Sequence, residues 1–272
     1  MIKRIVPSSG ESLPVVGVGT WQTFDVGESP ETRKNLTDVL HTLVEWGGTM
    51  VDSSPMYGRS EKVVGDLSSG AGLNKELFMA TKVWTTGKEE GIRQMKQSME
   101  YLRRSKLDLM QIHNLVDWRT HLETLRKWKE EGIIRYIGLT HYTDSAHDEM
   151  AKIIQSNPVD FMQINYNLAD RNAERRLLPL AQDMGIAVIA NRPFEEGALL
   201  SRTKGKELPT WAGEFDCQSW GQFFLKFILS HPAITCVIPG TAKVTHKIDN
   251  LKAGIGKLPD AAQRQKMASI LK

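Results

Sequence analysis

The chain has 272 residues and a mass of 30.6 kDa, and its 35 lysines and arginines nearly balance its 32 aspartates and glutamates. A net charge of +3 is too small to predict binding to nucleic acid or to an anionic membrane surface. A hydrophobic share of 40% and a charged share of 25% are typical of a globular chain with a buried core, which argues against disordered and membrane classes.

The cysteine content and the amino-terminal sequence indicate the cellular compartment and whether a metal site is expected. Cys217 and Cys236 are too few for a disulfide framework, and neither has a histidine at the spacing of a zinc site. The first residues contain no apolar stretch of signal-peptide length before Pro14, and no run of about 18 apolar residues occurs anywhere. We therefore expect a cytoplasmic protein without a metal, although an exported protein whose signal had been removed would have the same sequence.

Short apolar runs alternate with longer helical patterns along almost the whole chain, which is typical of successive βα units. Turn-forming residues before and at Gly10 predict an opening hairpin across the bottom of the fold. Strands are predicted at 15–18, 49–52, 77–81, 107–112, 134–139, 161–164, 187–190 and 234–238.

Helical patterns separate these strands, with apolar residues recurring at i, i+3, i+4 and i+7. Eight strands with short connections and no linker favour a single-domain (β/α)8 barrel over residues 1–272, rather than an open doubly wound sheet. The longest stretch without clear periodicity, 194–219, follows the seventh strand. It is either a segment that covers a ligand or an ordinary surface excursion.

Ionisable residues fall at the ends of three successive predicted strands, where barrel enzymes place catalytic groups. Asp52 ends the second strand with Tyr57 five residues later, Lys82 ends the third, and His113 ends the fourth. A phenol has a pKa near ~10 and is a poor acid at neutral pH until a nearby cation lowers that pKa. Lys82 is placed to supply the cation, and Asp52 to hold it charged. Each residue alone has an ordinary structural explanation, but the four together predict proton donation by a phenol.

The segment from Asp52 to Glu61, which contains PMYGRSE, and the later segments ATKVW and QIHN resemble the successive active-site motifs of the aldo-keto reductase superfamily. The similarity runs from GVGTW near residue 17 to IPGTAKVTHKIDN, which ends at residue 250. It implies a (β/α)8 barrel that binds a reduced nicotinamide dinucleotide, usually NADPH, and reduces carbonyls to alcohols. It also implies that Tyr57 is the general acid, that Asp52 and Lys82 tune it, and that His113 orients the substrate.

The same resemblance implies a set of cofactor-binding positions. Thr140 and His141 match a Ser-Asn pair that contacts the nicotinamide carboxamide, and Gln163 matches a glutamine with the same role. The chain after the eighth strand should start a helix near Thr245, and a helix amino terminus favours phosphate. The positions assigned in this way are Gly19, Thr20, Trp21, Thr140, His141, Gln163, Asn191, Pro193, Phe194, Gly240, Thr241, Lys243, His246, Asp249 and Asn250.

Two of these positions depart from the family pattern. Asn191 stands where the family often places an aromatic ring under the nicotinamide, so that stacking contact is expected to be lost. His246 stands where an arginine commonly holds the 2′-phosphate, and histidine lacks the guanidinium fork and is only partly charged near neutral pH. Lys243 is placed to compensate, so NADPH is the expected cofactor and NADH a second possibility.

Aromatic residues are expected to line the substrate mouth. Trp84 follows Lys82 by two residues, and Trp118 follows His113 by five. Their rings favour an apolar carbonyl substrate, but either tryptophan has the alternative role of packing the base of a loop.

The sequence thus predicts a monomeric NAD(P)H-dependent carbonyl reductase. The alternative is a nucleotide-sensing regulatory barrel with little turnover, which the departures at Asn191 and His246 motivate. The intact set of four ionisable residues argues against it. A third hypothesis, a barrel that isomerises a sugar phosphate, would need no nicotinamide.

Overall fold

The chain opens with a short antiparallel hairpin that covers one end of a barrel. In the computed structural model, which describes residues 1–271, β1 (Lys3–Ile5) pairs with β2 (Ser12–Pro14). Val6 and Leu13 are buried in the apolar cluster that fills the barrel interior. Ser9 Oγ lies 2.7 Å from the hydroxyl oxygen of Tyr136. The hairpin therefore closes the end of the barrel at which its strands begin, as the turn-forming residues predict.

Within the described residues, the barrel wall consists of eight parallel strands, each hydrogen-bonded to its neighbour in the sequence. They are β3 (Val18–Gly19), β4 (Met50–Asp52), β5 (Phe78–Val83), β6 (Leu107–His113), β7 (Ile134–Thr140), β8 (Phe161–Asn165), β9 (Ala187–Asn191) and β10 (Ile234–Val237). Val16 pairs in parallel with Val237, and Gly17 donates its N–H to the Val237 carbonyl at 2.9 Å. The sheet closes in this way into the expected (β/α)8 barrel.

Helices surround the sheet. They are α1 (Pro30–Glu45), α2 (Ser60–Gly70), α3 (Lys88–Tyr101), α4 (Trp118–Glu130), α5 (His147–Ser156), α6 (Leu177–Met184), α7 (Ala198–Arg202), α8 (Trp220–Leu229), α9 (Val244–Lys252) and α10 (Ala261–Ala268). The first shows why they form: Ser29 caps its amino end, Pro30 fits its first turn, and an apolar stripe including Leu36 and Leu43 is buried. Within residues 1–271, no helix combines the length and apolar character needed to cross a membrane.

Apart from the first strand, the predicted strand boundaries lie within two residues of the observed ones. Two differences from the sequence prediction have a clear physical reason. The first strand was expected at 15–18, but regular pairing with β4 begins only at Val18, because residues 15–17 bond to β10 instead. The stretch 194–219 was expected to be irregular, and it contains α7 together with 3-10 turns at Glu195–Gly197 and Thr210–Phe215. These helical pieces are too short to produce a periodic apolar pattern.

Candidate active site

An ion pair lies inside the barrel at the carboxyl ends of β4 and β5. Lys82 Nζ is 2.6 Å from Asp52 Oδ2 and 2.7 Å from the carbonyl oxygen of Ser53. The Lys82 side chain is fully buried and that of Asp52 is 2% exposed. Burial, the largest single effect, lowers the pKa of Lys82, but the combined effects of Asp52 and Tyr57 outweigh burial and raise that pKa above its ordinary value. Lys82 is therefore a permanent cation at neutral pH.

The second oxygen of Asp52 is held by two glutamines from other strands. Asp52 Oδ1 accepts from Gln111 Nε2 at 3.0 Å and from Gln163 Nε2 at 2.8 Å, and Gln163 Oε1 accepts from Thr140 Oγ1 at 3.1 Å. A buried ion pair is tolerated when its remaining hydrogen-bonding capacity is satisfied in this way. The sequence prediction missed Gln111. It lies two residues before His113, and the period of two along a strand could have identified it.

Tyr57 lies half-buried in the loop after β4, directly over the ion pair. Lys82 Nζ is 4.9 Å from the centroid of its ring, and the His113 ring meets it edge-on with centroids 5.9 Å apart. Burial raises the pKa of Tyr57, Lys82 opposes that effect and Asp52 adds to it, so the pKa lies above its ordinary value. Lys82 acts in the expected direction, but burial is the larger effect. The phenol is protonated at neutral pH.

His113 ends β6 as a neutral imidazole. Its Nδ1 is 3.0 Å from Ser54 Oγ, and Ser54 Oγ accepts the N–H of Met56 at 3.3 Å. The Ser54 hydroxyl hydrogen is then available for Nδ1, which places the ring hydrogen on Nε2. Burial, with help from Lys82, lowers the pKa of His113 to about 2. The residue is thus a neutral hydrogen-bond donor, and the sequence prediction missed its partner Ser54.

The two tryptophans predicted to line the mouth have different surroundings. The Trp84 ring is 41% exposed, and its centroid lies 6.3 Å from that of His113. Trp118 is the first residue of α4, packs against the outer core and lies under the guanidinium of Arg119 at 4.3 Å. Trp84 is therefore beside the four ionisable residues, whereas Trp118 packs the base of a loop.

The ends of β7 and β9 leave polar groups available to a ligand. His141 Nδ1 accepts the N–H groups of Tyr142 at 3.0 Å and Thr143 at 3.2 Å, so its ring hydrogen is on Nε2. Asn191 Nδ2 donates to the His141 carbonyl at 3.3 Å, but its Oδ1 is buried without a partner among the described residues. Buried acceptors are rarely left unpaired, so a ligand donor such as a carboxamide N–H₂ fits this position.

The chain after β9 turns sharply beside this group. Arg192, Glu195 and Glu196 have φ values of 50°, 48° and 56°, which non-glycine residues rarely adopt. Between them, Pro193 is buried and Phe194 packs partly against the outer core. Strained backbone of this kind is concentrated at ligand-binding sites.

The predicted phosphate-binding segment begins at the amino terminus of α9. Lys243 is the N-cap residue, and among the described residues no side chain caps the first turn. The side chains of Lys243 and His246 are exposed next to that turn, whereas that of Thr241 is buried and accepts the Lys243 N–H at 3.1 Å. Gly240 lies so close to the end of β3 that an added Cβ would be 3.2 Å from the Gly19 carbonyl oxygen. This exposed, cationic helix start is suited to a phosphate.

Two further predicted cofactor residues are occupied by contacts within the protein. Asp249 accepts hydrogen bonds from Ser219 Oγ at 2.6 Å and Gln222 Nε2 at 2.7 Å, which tie α9 to the start of α8. Thr20 is fully buried and donates to the Asp52 carbonyl at 3.0 Å. Of the neighbouring positions, Trp21 is 43% exposed and open to a ligand, whereas Asn250 is buried and makes no side-chain hydrogen bond within residues 1–271.

Comparison with known proteins identifies the family of the chain. Residues 15–270 match the Aldo/keto reductase family, and the chain belongs to that family. It is an NAD(P)H-dependent oxidoreductase.

Relatives and solved structures match over nearly the whole chain. Methylglyoxal reductase YeaE of Escherichia coli is 28% identical, with 92% of this chain and 89% of that protein covered. The thermostable aldo-keto reductase Tm1743, solved with the inhibitor epalrestat, has a TM-score of 0.82 at 26% identity, with 99% of each chain covered. An aldo/keto reductase from Klebsiella pneumoniae, solved with NADP and acetate, has the same fold, with a TM-score of 0.82 at 22% identity over 98% of this chain and 94% of that chain.

Proposed function

We propose that the protein reduces an aldehyde or ketone to an alcohol with NADPH, and that Tyr57 is the proton donor. The observation that carries this proposal is the position of a protonated phenol between the buried Lys82 cation and the neutral His113 ring. A phenol, a cation and a neutral hydrogen-bond donor at one mouth are the groups that carbonyl protonation requires.

Each residue has a distinct task in this reaction. A nicotinamide held at this mouth would supply the hydride that the carbonyl carbon receives. Tyr57 transfers its phenolic proton to the carbonyl oxygen, and Lys82 stabilises the phenolate that remains. Asp52 keeps Lys82 charged, and His113 orients the carbonyl oxygen by donating its Nε2–H. Solvent then returns a proton to Tyr57, which completes the balance of one carbonyl, one NADPH and one proton.

The cofactor is assigned to the rim formed by β7, β9 and α9. His141 offers a donor at Nε2, and Asn191 Oδ1 has no partner among residues 1–271, so the two residues suit the N–H and C=O groups of a carboxamide. Lys243 and His246 are placed to hold the 2′-phosphate beside the uncapped start of α9. The NADP in the Klebsiella pneumoniae structure is consistent with a dinucleotide as the ligand of this fold.

A turnover assay with small reactive carbonyls tests the proposed reduction. Methylglyoxal is included because one relative is named a methylglyoxal reductase. We expect multiple turnovers of NADPH, followed as the loss of its absorbance, and a lower rate with NADH at equal concentration. Dinucleotide binding by intrinsic fluorescence is measured in parallel. Binding without turnover on every carbonyl would favour the regulatory alternative, and absence of binding would refute the proposed cofactor.

A further inference from the structure

A buried carboxyl group lies behind the catalytic ion pair, on the opposite side of the barrel wall. Glu61 belongs to the first turn of α2, four residues after Tyr57, and is 2% exposed. Its Oε1 accepts a hydrogen bond from Thr81 Oγ1, and its Oε2 accepts one from Ser98 Oγ at 3.0 Å. Thr81 directly precedes Lys82 on β5. Because strand side chains alternate, Thr81 points outward to Glu61 while Lys82 points inward to the ion pair.

Glu61 also borders a cleft between the loop after β4, α2 and α3. The cleft has a volume of about 260 Å³, and Pro55, Gly58, Ser98 and Tyr101 are among the residues that line it. It gives a route for protons between solvent and Glu61 that does not pass through the substrate mouth.

The ionisable groups around Glu61 leave it without a partner cation. From α3, Glu90 and Arg93 also line the cleft, but they bind each other, with Arg93 Nε 3.0 Å from Glu90 Oε2. Tyr101 is the third ionisable group of that helix at the cleft, and β5 contributes Lys82, which is committed to Asp52. Among the described residues, no basic side chain lies within ion-pair distance of the Glu61 carboxyl.

We infer that Glu61 is a positioning residue whose protonation sets how strongly Lys82 acts on Tyr57. This inference rests on the proposed role of Tyr57 as the acid. When Glu61 is neutral, Asp52 is the one carboxylate beside the Lys82 cation, and the positive potential of that cation at the phenol is at its highest. When Glu61 is ionised, a second carboxylate draws on the same cation, and the positive potential at the phenol falls.

The Glu61 carboxyl changes its ionisation state in the neutral pH range. Burial raises the pKa of Glu61 to about 7, although the hydrogen bonds from Thr81 and Ser98 and the charge of Lys82 oppose the rise. Below that pH the Glu61 carboxyl is neutral, and Tyr57 is a stronger acid than it is above that pH. Above it, reduction should slow by roughly tenfold or more, because a unit charge within about 12 Å contributes at least ~1.4 kcal/mol at an effective dielectric of about 20.

The pH profile of carbonyl reduction by Glu61→Gln tests the inference. Glutamine keeps an oxygen for Thr81 but cannot ionise, so we expect the fall in kcat near pH 7 to disappear while KM for NADPH stays unchanged. Glu61→Asp, which keeps the charge, should retain the fall. The matched control Glu90→Gln removes an exposed carboxyl from the same cleft and should leave the profile as in the parent protein. A fall near pH 7 that persists in Glu61→Gln, or a uniform loss of rate at every pH, would overturn the inference.

Two further measurements separate the inference from the proposed function and from loss of folding. Ser98→Ala removes one stabilising hydrogen bond from ionised Glu61 and should move the fall in kcat to higher pH. An ultraviolet titration of Tyr57, taken as the difference from Tyr57→Phe, should show a lower midpoint in Glu61→Gln than in the parent protein. A lower midpoint without turnover on any carbonyl would refute the reductase but support the coupling. Turnover with an unchanged midpoint would refute the coupling alone.

Discussion

At the scale of single residues, the proposed chemistry depends on single functional groups, and the clearest example is the phenolic hydroxyl of Tyr57. The Tyr57 ring faces Lys82 and meets His113 edge-on, whereas its proposed role as the acid depends on the phenolic oxygen. Packing and proton donation can therefore be separated by removing that oxygen alone.

Tyr57→Phe should lower kcat for carbonyl reduction by about 10²- to 10⁴-fold, the typical contribution of one positioned acid. NADPH affinity should change little, because the ring and its contacts are kept. Steady-state kinetics and fluorescence titration of the same preparation provide the two measurements. A near-normal turnover rate would exclude Tyr57 as the acid.

Lys243 sets the expected preference between dinucleotides, because NADPH differs from NADH by the 2′-phosphate. Lys243→Ala should raise the dissociation constant for NADPH by about 10- to 100-fold, since a hydrogen bond to a charged group contributes roughly 1.5–3 kcal/mol. The affinity for NADH should be unchanged. Lys252→Ala, at the exposed carboxyl end of the same helix, is the control. Equal weakening of both dinucleotides would place the 2′-phosphate elsewhere.

At the scale of elements, the register between β6 and β7 makes room for the glutamine that holds Asp52. Gln111 lies opposite Gly138 in the register, and a Cβ built on Gly138 would be 2.8 Å from Gln111 Cγ. The neighbouring strand must therefore lack a side chain at this point for Gln111 to reach the ion pair.

Gly138→Ala should destabilise the fold by about 1–3 kcal/mol, the usual cost of overpacking a core, because Gln111 must move away from Asp52. Urea unfolding measures the loss, and kcat should fall with it. Gly70→Ala is the matched control: an added Cβ there meets no atom within 4 Å, so that variant should be as stable as the parent or slightly more. Equal stability of the two variants would contradict the steric argument.

At the scale of the whole molecule, the closure of the barrel is braced by a buried lysine. Lys247 of α9 is fully buried, and its Nζ donates to the Gly17 carbonyl at 2.8 Å, next to the residues that join the last strand to the first. Burial lowers the pKa of Lys247 from its ordinary value of 10.5 to about 7. The folded protein thus holds this amine neutral in a range where the unfolded chain holds it charged.

The pH dependence of stability follows from this difference in proton binding. Between about 7 and 10.5 the unfolded chain binds the extra proton, so the Lys247 contribution to stability rises with pH across that range. Lys247→Met should therefore gain stability relative to the parent below pH 7 and lose that advantage as the pH approaches 10. Urea unfolding at several pH values measures the difference, and Lys252→Met, exposed on the same helix, should show none. A constant difference at all pH values would refute the buried neutral amine.

The sequence by itself determined the order of the strands, the opening hairpin and the position of Asp52, Lys82 and His113 at strand ends. These features depend on periodicity and on chain order, which are local and can be read directly. The comparisons confirm the family and the fold, while the roles of individual site residues remain proposals.

Only the tertiary structure decided which side chains meet. Gln111 and Ser54 hold Asp52 and His113 from other elements, and Glu61 approaches Lys82 through the barrel wall. The sequence also predicted that Lys82 would lower the pKa of Tyr57, but burial raises it further than Lys82 lowers it. Distance, burial and the sum of surrounding charges depend on residues far apart in the chain, so no local pattern contains them.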